Sequence, residues 1–166
     1  MSQTPLTEEA LLAQGVLQEM LQKMDFPAQV AVSETSEQIL LTMHSDEPMG
    51  LLIGRNGQTL NAIELLVKTI TQHKLKHFHR HLLVDAEGYR QRQTDRLETT
   101  AREAAEQVLA TGEPVELEPM NARDRRTIHM VIAGIDGVSS YSIGEDPYRH
   151  LVLCLPGQEA GEGAEG

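Results

Sequence analysis

Residues 49–63 read MGLLIGRNGQTLNAI, with two glycines, Gly54 and Gly57, separated by two polar residues. The apolar residues on both sides predict two helix ends, each anchored in a core, with these four residues as the loop between them. Glycine adopts positive φ readily and has no side chain, so a phosphodiester backbone can lie against such a loop. The following helix would offer N–H groups to phosphate oxygens, and Arg55 and Asn56 add a positive charge and hydrogen-bond donors. The apolar anchors are Leu52, Ile53, Leu60 and Ile63.

The elements around this loop follow a regular order. Thr7 with Glu8 and Glu9 is typical of a helix start, and the pair Phe26-Pro27 ends that helix. The predicted elements are a helix to Asp25, a hairpin of strands 29–33 and 38–44, a short helix 49–53, a longer helix from Gly57 to about His73, and a strand 81–85. We therefore predict a first domain, residues 1–87, with the order α-β-β-α-α-β.

A second set of elements fills the rest of the chain. Tyr89 opens a long helix that Gly112 ends, and Asn121 caps another helix that stops by Ala133. The predicted strands are 114–119, 138–143 and 151–155. We predict a second small α/β domain at residues 88–156, a disordered acidic tail at 157–166, and α+β as the fold class.

The charge distribution locates a candidate nucleic-acid surface. The chain of 166 residues carries a net charge of −11, which at first disfavours a polyanionic partner. The window from Gly54 to Met130, however, holds 12 of the 14 Lys and Arg but only 11 of the 25 Asp and Glu, so its net charge is +1 and that of the remainder is −12. Only the middle of the chain therefore favours phosphate.

The composition narrows the classes of protein to which this chain can belong. No apolar run approaches the roughly 18 residues of a membrane span, and residues 1–9 lack the pattern of a secretory signal, so we expect no membrane insertion. The single cysteine, Cys154, lies in an apolar strand and is expected to be a buried, inert thiol in a reducing compartment. These features predict a cytoplasmic protein.

The glycine loop resembles the KH family. The KH pattern I-G-x-x-G-x-x-x-x-x-I runs from Ile53 through Gly54, Arg55, Asn56 and Gly57 to Ile63, and the predicted element order matches the type II KH topology. The resemblance implies that the loop clamps about four nucleotides of single-stranded nucleic acid. The aromatic content of 3% fits this mode better than stacking on exposed aromatics. The alternatives are a plain helix-loop-helix turn or a degenerate KH surface used for protein contacts.

The helix after Asn121 carries a second motif. Arg125 and His129 are four residues apart, so they share a face, which we expect to be exposed and able to engage two phosphates or a phosphate and a base. A solvated helix surface is the alternative. The pair resembles the motif of the R-three-H family, which binds single-stranded nucleic acid, and Arg126 would belong to the same contact.

The combination resembles the Jag family, also called SpoIIIJ-associated or KhpB, over residues 8–156. The segments that carry the resemblance are 85–90, 117–120 and 142–149. It implies a bacterial regulator that binds single-stranded RNA, with single-stranded DNA as an alternative, and acts post-transcriptionally. It also implies a second small KH protein as a partner and a link to cell shape or sporulation. Many members carry a further N-terminal domain, whereas this chain starts almost directly at the KH helix.

Three other functions were considered for this sequence: protein interaction, metal binding and catalysis. A protein-interaction adaptor using the KH surface for dimerisation is the alternative from another class. Four histidines, at positions 73, 77, 79 and 81, suggest a metal site but lack a fixed carboxylate or thiolate partner, so we interpret them as surface residues that can assist phosphate binding when protonated. No nucleophile-base pair or nucleotide-binding loop is present, so we expect no catalysis, no cofactor and no metal.

Overall fold

The computed structural model describes residues 5–159. It divides into two compact units, with the boundary between Arg90 and Gln91. The sequence placed the boundary three residues earlier, after Glu87. The difference arises because Tyr89 packs against the first core and Arg90 bonds to the strand and helix before it.

The first unit has the order α-β-β-α-α-β. Its elements are α1 Glu8–Lys23, β1 Gln29–Glu34, β2 Gln38–His44, α2 Gly50–Ile53, α3 Gln58–Lys74 and β3 His81–Ala86, with a single 3-10 turn at Arg55–Gly57 between α2 and α3. The sheet order is β1-β2-β3, in which β1 and β2 are antiparallel and β2 and β3 are parallel. The predicted type II KH arrangement is confirmed.

The core of this unit lies between one face of the sheet and helices α1 and α3. Alternate residues of β2 point inward, so Ile39, Leu41 and Met43 are buried while their neighbours on the strand are half-buried or exposed. Helix α1 begins as its sequence indicates, because the Thr7 hydroxyl accepts a hydrogen bond from the N–H of Ala10 at 3.3 Å. Helix α3, which follows the glycine loop, is held to the core by Leu60, Ile63, Val67 and Thr71, which are buried from its first turn to its last.

The second unit is built from two helices on a small antiparallel sheet. Its elements are α4 Tyr89–Thr111, which starts within the first unit, β4 Val115–Glu116, α5 Ala122–Ile132, β5 Ser139–Ile143 and β6 His150–Cys154. The sheet order is β4-β6-β5. The core joins the buried residues of α4, among them Leu97, Ala101 and Val108, to α5 and β6, and the Asn121 side chain caps α5 by accepting from the N–H of Asp124 at 3.0 Å.

Two details of the sequence prediction differ from the structure. The strand expected at 114–119 is reduced to Val115–Glu116, since the prolines at both ends cannot donate to a ladder; the N–H of Leu117 still bonds to the carbonyl of Leu151 at 2.9 Å. Of the expected tail, Gln158 donates to the carbonyl of Gly112 at 3.3 Å, and residues 160–166 lie outside the described part. Among the helices described, none is long and apolar enough to cross a membrane.

Candidate nucleic-acid interface

The glycine loop turns sharply between α2 and α3. Three of its four residues have positive φ: Gly54 at 71°, Asn56 at 50° and Gly57 at 75°. Asparagine is one of the few residues other than glycine that tolerates this region. The turn brings the chain directly into the first turn of α3, which Gly57 precedes without a side-chain cap. The loop therefore leads directly into the N-terminus of a 17-residue helix.

The surroundings of Gly54 exclude a side chain, whereas those of Gly57 are only crowded. A Cβ placed on Gly54 would lie 2.2 Å from Oγ1 and 2.9 Å from the backbone nitrogen of Thr59. A Cβ on Gly57 would lie 3.0 Å from Cε1 of Tyr89. Because the Thr59 contact includes backbone, no larger residue fits at Gly54 without displacing the first turn of α3.

The two central residues of the loop point outward. Arg55 and Asn56 are exposed, whereas Gly57 is buried. A cationic side chain, an amide side chain and a helix N-terminus then lie on the same short segment, and each of these groups favours a negative ligand. The sequence-predicted loop residues are thus brought together as one surface suited to an anionic backbone.

Tyr89 is a loop contact that the sequence reasoning did not identify. It is half-buried, and its ring and hydroxyl lie over Gly57, 32 positions earlier in the chain. The turn before it is held by Asp85, whose carboxylate accepts from the N–H groups of Gly88 at 2.7 Å and Arg90 at 3.0 Å. In the sequence, the segment 85–90 contributed only to the resemblance to a family, and nothing in it indicated that Tyr89 contacts the loop.

The side chain of Arg90 anchors this turn to α3. It donates to the carbonyl of Val84 at 2.7 Å, to Oδ1 of Asn61 at 3.0 Å and to Oε2 of Glu64 at 2.7 Å. The guanidinium and the carboxylate are both largely buried. This network sets the position of Tyr89, and Tyr89 in turn covers the buried side of the loop.

We expect the substitution Tyr89→Ala to loosen the loop. Removing a half-buried ring should lower the free energy of unfolding by about 1–2 kcal/mol, less than the roughly 3–5 kcal/mol for a fully buried aromatic residue. Hydrogen exchange at the amides of Gly57 and Gln58 should accelerate in this variant. Tyr89→Phe keeps the ring and should exchange as the parent does; equal exchange in the alanine variant would show that the ring does not support the loop.

Arg125 does not lie on an exposed face as the sequence analysis expected. It is only 9% exposed, and its Nη1 donates to the carbonyl of Met120 at 2.8 Å and to Oδ1 of Asp146 at 3.3 Å. The i, i+4 spacing correctly places it beside His129, but the segment before α5 and the β5–β6 turn cover that face. The expected exposure was wrong for this residue.

His129 is held against strand β5. Its Nδ1 lies 2.8 Å from Oγ of Ser140, and its Nε2 lies 3.4 Å from Oγ of Ser142. Burial, and to a smaller extent the neighbouring charge of Arg125, lowers the pKa of His129 below its ordinary value. This shift favours the neutral imidazole, which acts as a hydrogen-bonding group.

The exposed positive charges of α5 are those of Arg126 and Arg123, and not that of Arg125. Arg126 is exposed and lines a shallow groove of about 370 Å³ between α4 and α5. The other lining residues are Glu98, Arg123, Thr127, Met130 and Val131. Of the three residues predicted for the second unit, one is exposed, one is half-buried and one is buried. The serines that position His129 alternate along β5, which is the only sequence signal that they share a face.

Within residues 5–159, no cluster of three His, Cys, Asp or Glu side chains is arranged to hold a metal ion. Cys154 is buried, and that burial raises the pKa of its thiol. Neither observation identifies a reactive group.

Comparisons with known proteins give both units a family. The model described as "KhpA/KhpB, KH domain" matches residues 13–82, and the model of the R-three-H domain matches residues 95–155. RNA-binding protein KhpB of Bacillus subtilis strain 168 is 34% identical over 154 residues, which are 90% of this chain and 70% of that protein. The chain belongs to the KhpB family. The resemblance found in the sequence is confirmed.

Other KhpB proteins match with similar identity. RNA-binding protein KhpB of Clostridium symbiosum is 34% identical over 84% of this chain, and the chain spans 63% of that protein. RNA-binding protein KhpB of Streptococcus pneumoniae serotype 2 is 29% identical over 82% of this chain, which spans 41% of that protein. The shared region is therefore the pair of KH and R-three-H domains.

Proposed function

We propose that this chain binds single-stranded RNA, with single-stranded DNA as a competing ligand, through the glycine loop of its KH unit. The observation that carries the proposal is the loop itself, in which left-handed backbone at Gly54, Asn56 and Gly57 leads into the N-terminus of α3. Relatives that share both units are named RNA-binding proteins, which supports RNA as the ligand. No catalytic step is part of the proposal.

The predicted site residues take different roles in this proposal. Gly54 and Gly57 let the RNA backbone approach, and Arg55 and Asn56 bond to its phosphates. In the second unit, Arg126 contributes charge and His129 a hydrogen bond. Arg125 is a positioning residue, because its guanidinium already bonds to the chain segments on both sides of α5.

The wider role proposed for the chain follows from its family. We propose a post-transcriptional regulator that works in the cytoplasm, where it meets RNA, and that pairs with a second small KH protein. The association with cell shape or sporulation belongs to the same proposal. Its support is the match to a model that describes KhpA and KhpB KH domains together.

A salt series with a single-stranded RNA tests the binding proposal. Each phosphate contacted contributes about −0.7 to the slope of log affinity against log salt, so a loop holding about four nucleotides should give a slope of about −2 to −3 between about 50 and 200 mM salt. Fluorescence anisotropy measures this slope. A flat dependence, or no binding at low salt, would contradict the proposal.

A protein-interaction adaptor is the second candidate. Three leucines on the KH unit are exposed, Leu51 at 73%, Leu65 at 63% and Leu66 at 50%, and the last two are adjacent on α3. Exposed apolar residues that lie together are typical of protein contacts. A chain that binds no RNA in the salt series but associates through Leu65 and Leu66 would favour this candidate.

A further inference from the structure

A long part of the first unit contains no acidic residue. Residues 65–84 include no Asp or Glu, although the chain has 25 of them among 166 residues. The same segment holds four of the 14 Lys and Arg and four of the seven histidines. Although the chain has a net charge of −11, this segment has a net charge of +4.

The positive groups are concentrated where α3 ends and β3 begins. The exposed residues there form what we call the α3–β3 patch: His73, Lys74, Lys76, His77, His79 and His81. Phe78 is buried in the core and Leu75 packs against it, so the apolar residues of the connection point inward. The patch therefore presents cationic and imidazole groups without an apolar centre.

Arg80 holds this connection in place. It bonds to Glu34 at 2.7 Å and to Glu9 at 3.3 Å, and it donates to Oγ1 of Thr7 at 2.9 Å and to the carbonyl of Thr35. The guanidinium thus pairs with two nearby carboxylates, whose negative charge would otherwise repel a phosphate. It also ties the patch to α1 and to the β1–β2 turn.

The patch is separate from the glycine loop. Helix α3 begins directly after Gly57 and ends at Lys74, so its 17 residues separate the two surfaces by roughly 25 Å. A KH loop holds about four nucleotides. Only a longer strand can contact both ends of the helix.

We propose that the α3–β3 patch is a second phosphate-binding surface of the KH unit, which takes the backbone of a single-stranded RNA that continues beyond the glycine loop. The proposal rests on RNA binding as the proposed function. An acidic protein is disfavoured as the occupant because the centre of a protein interface is usually apolar, whereas that of the patch is not. RNA backbone needs only charge and hydrogen-bond donors.

The test compares two triple variants of the full chain that lose the same charges. The patch variant is Lys74→Gln, Lys76→Gln and His77→Gln. The control variant is Lys23→Gln, Arg102→Gln and His44→Gln, all at exposed positions. Each is titrated with RNA of about four nucleotides, the length that fills a KH loop, and with RNA of about 20 nucleotides.

The patch variant should bind the long RNA about tenfold more weakly than the control, with a salt slope smaller by about 1.4 for two lost phosphate contacts. Both variants should bind the short RNA equally, which also shows that the loop is intact.

The outcomes separate the two proposals. Equal affinity of the patch and control variants for the long RNA, or an equal loss with short and long RNA, would overturn the patch while RNA binding stands. No binding of either RNA by the parent chain would instead overturn the proposed function. Binding of a polyglutamate peptide in place of long RNA, abolished in the patch variant, would overturn RNA as the occupant.

Discussion

Replacing both Arg55 and Asn56 by aspartate is expected to lower the affinity for single-stranded RNA at least a hundredfold while the fold is retained. Each lost bond to a phosphate removes roughly 1.5–3 kcal/mol when one partner is charged, and the new carboxylates repel the same phosphate. Both side chains are exposed, and aspartate tolerates the left-handed backbone at position 56 as asparagine does. Anisotropy titration at about 0.1 M salt measures the loss.

A matched control separates local contacts from net charge. Lys68→Glu with Gln72→Glu makes the same change in net charge at exposed positions of α3, roughly 16 and 22 Å from the loop along the helix, and is compared in titrations with RNA of about four nucleotides. This control should bind RNA within about twofold of the parent, since charges beyond a Debye length of about 10 Å are screened at 0.1 M salt. Loss of affinity in both variants would mean that binding depends on overall charge and not on the loop.

The substitution Arg125→Ala is expected to destabilise the second unit by about 1–3 kcal/mol, because the carbonyl of Met120 loses its buried donor. For a unit of this size, 1 kcal/mol corresponds to roughly 4–8 °C in the midpoint of thermal unfolding. Part of the loss comes from the packed stem of the arginine side chain. Thermal unfolding followed by circular dichroism measures it.

Arg126→Ala is the control for this prediction. Arg126 neighbours Arg125 on α5, carries the same charge and is exposed, so its removal should change stability by less than about 0.5 kcal/mol. RNA affinity should fall in this variant without a change in melting. If Arg125→Ala melts as the parent does but binds RNA poorly, Arg125 contacts RNA directly and is not a positioning residue.

Local patterns sufficed to predict the elements and the glycine loop. Caps at Thr7 and Asn121, apolar periodicity along α3 and the two glycines are read from neighbouring residues, and the structure places each where the pattern indicates. The type II KH order followed from the succession of elements. These features depend on interactions within a few residues of the chain.

The features missed depend on contacts between distant positions. The burial of Arg125 results from Asp146, 21 residues later, and no helical periodicity reports what covers a face. Tyr89 covers Gly57 only because β3 returns the chain to the start of α3. The lowered pKa of His129 likewise depends on its burial in the folded unit. The spacing of residues in the sequence predicts which face of a helix or strand a residue lies on, whereas the exposure of that face depends on tertiary packing.

The most direct test of RNA binding at the glycine loop is an amide-resonance titration of the full chain with a short single-stranded RNA. If the glycine loop binds RNA, resonances of Gly54 to Leu60, at the loop and the first turn of α3, should shift first and saturate with a single affinity. Shifts confined to other surfaces, such as the exposed leucines at positions 65 and 66, with the loop resonances unchanged at saturation, would contradict it.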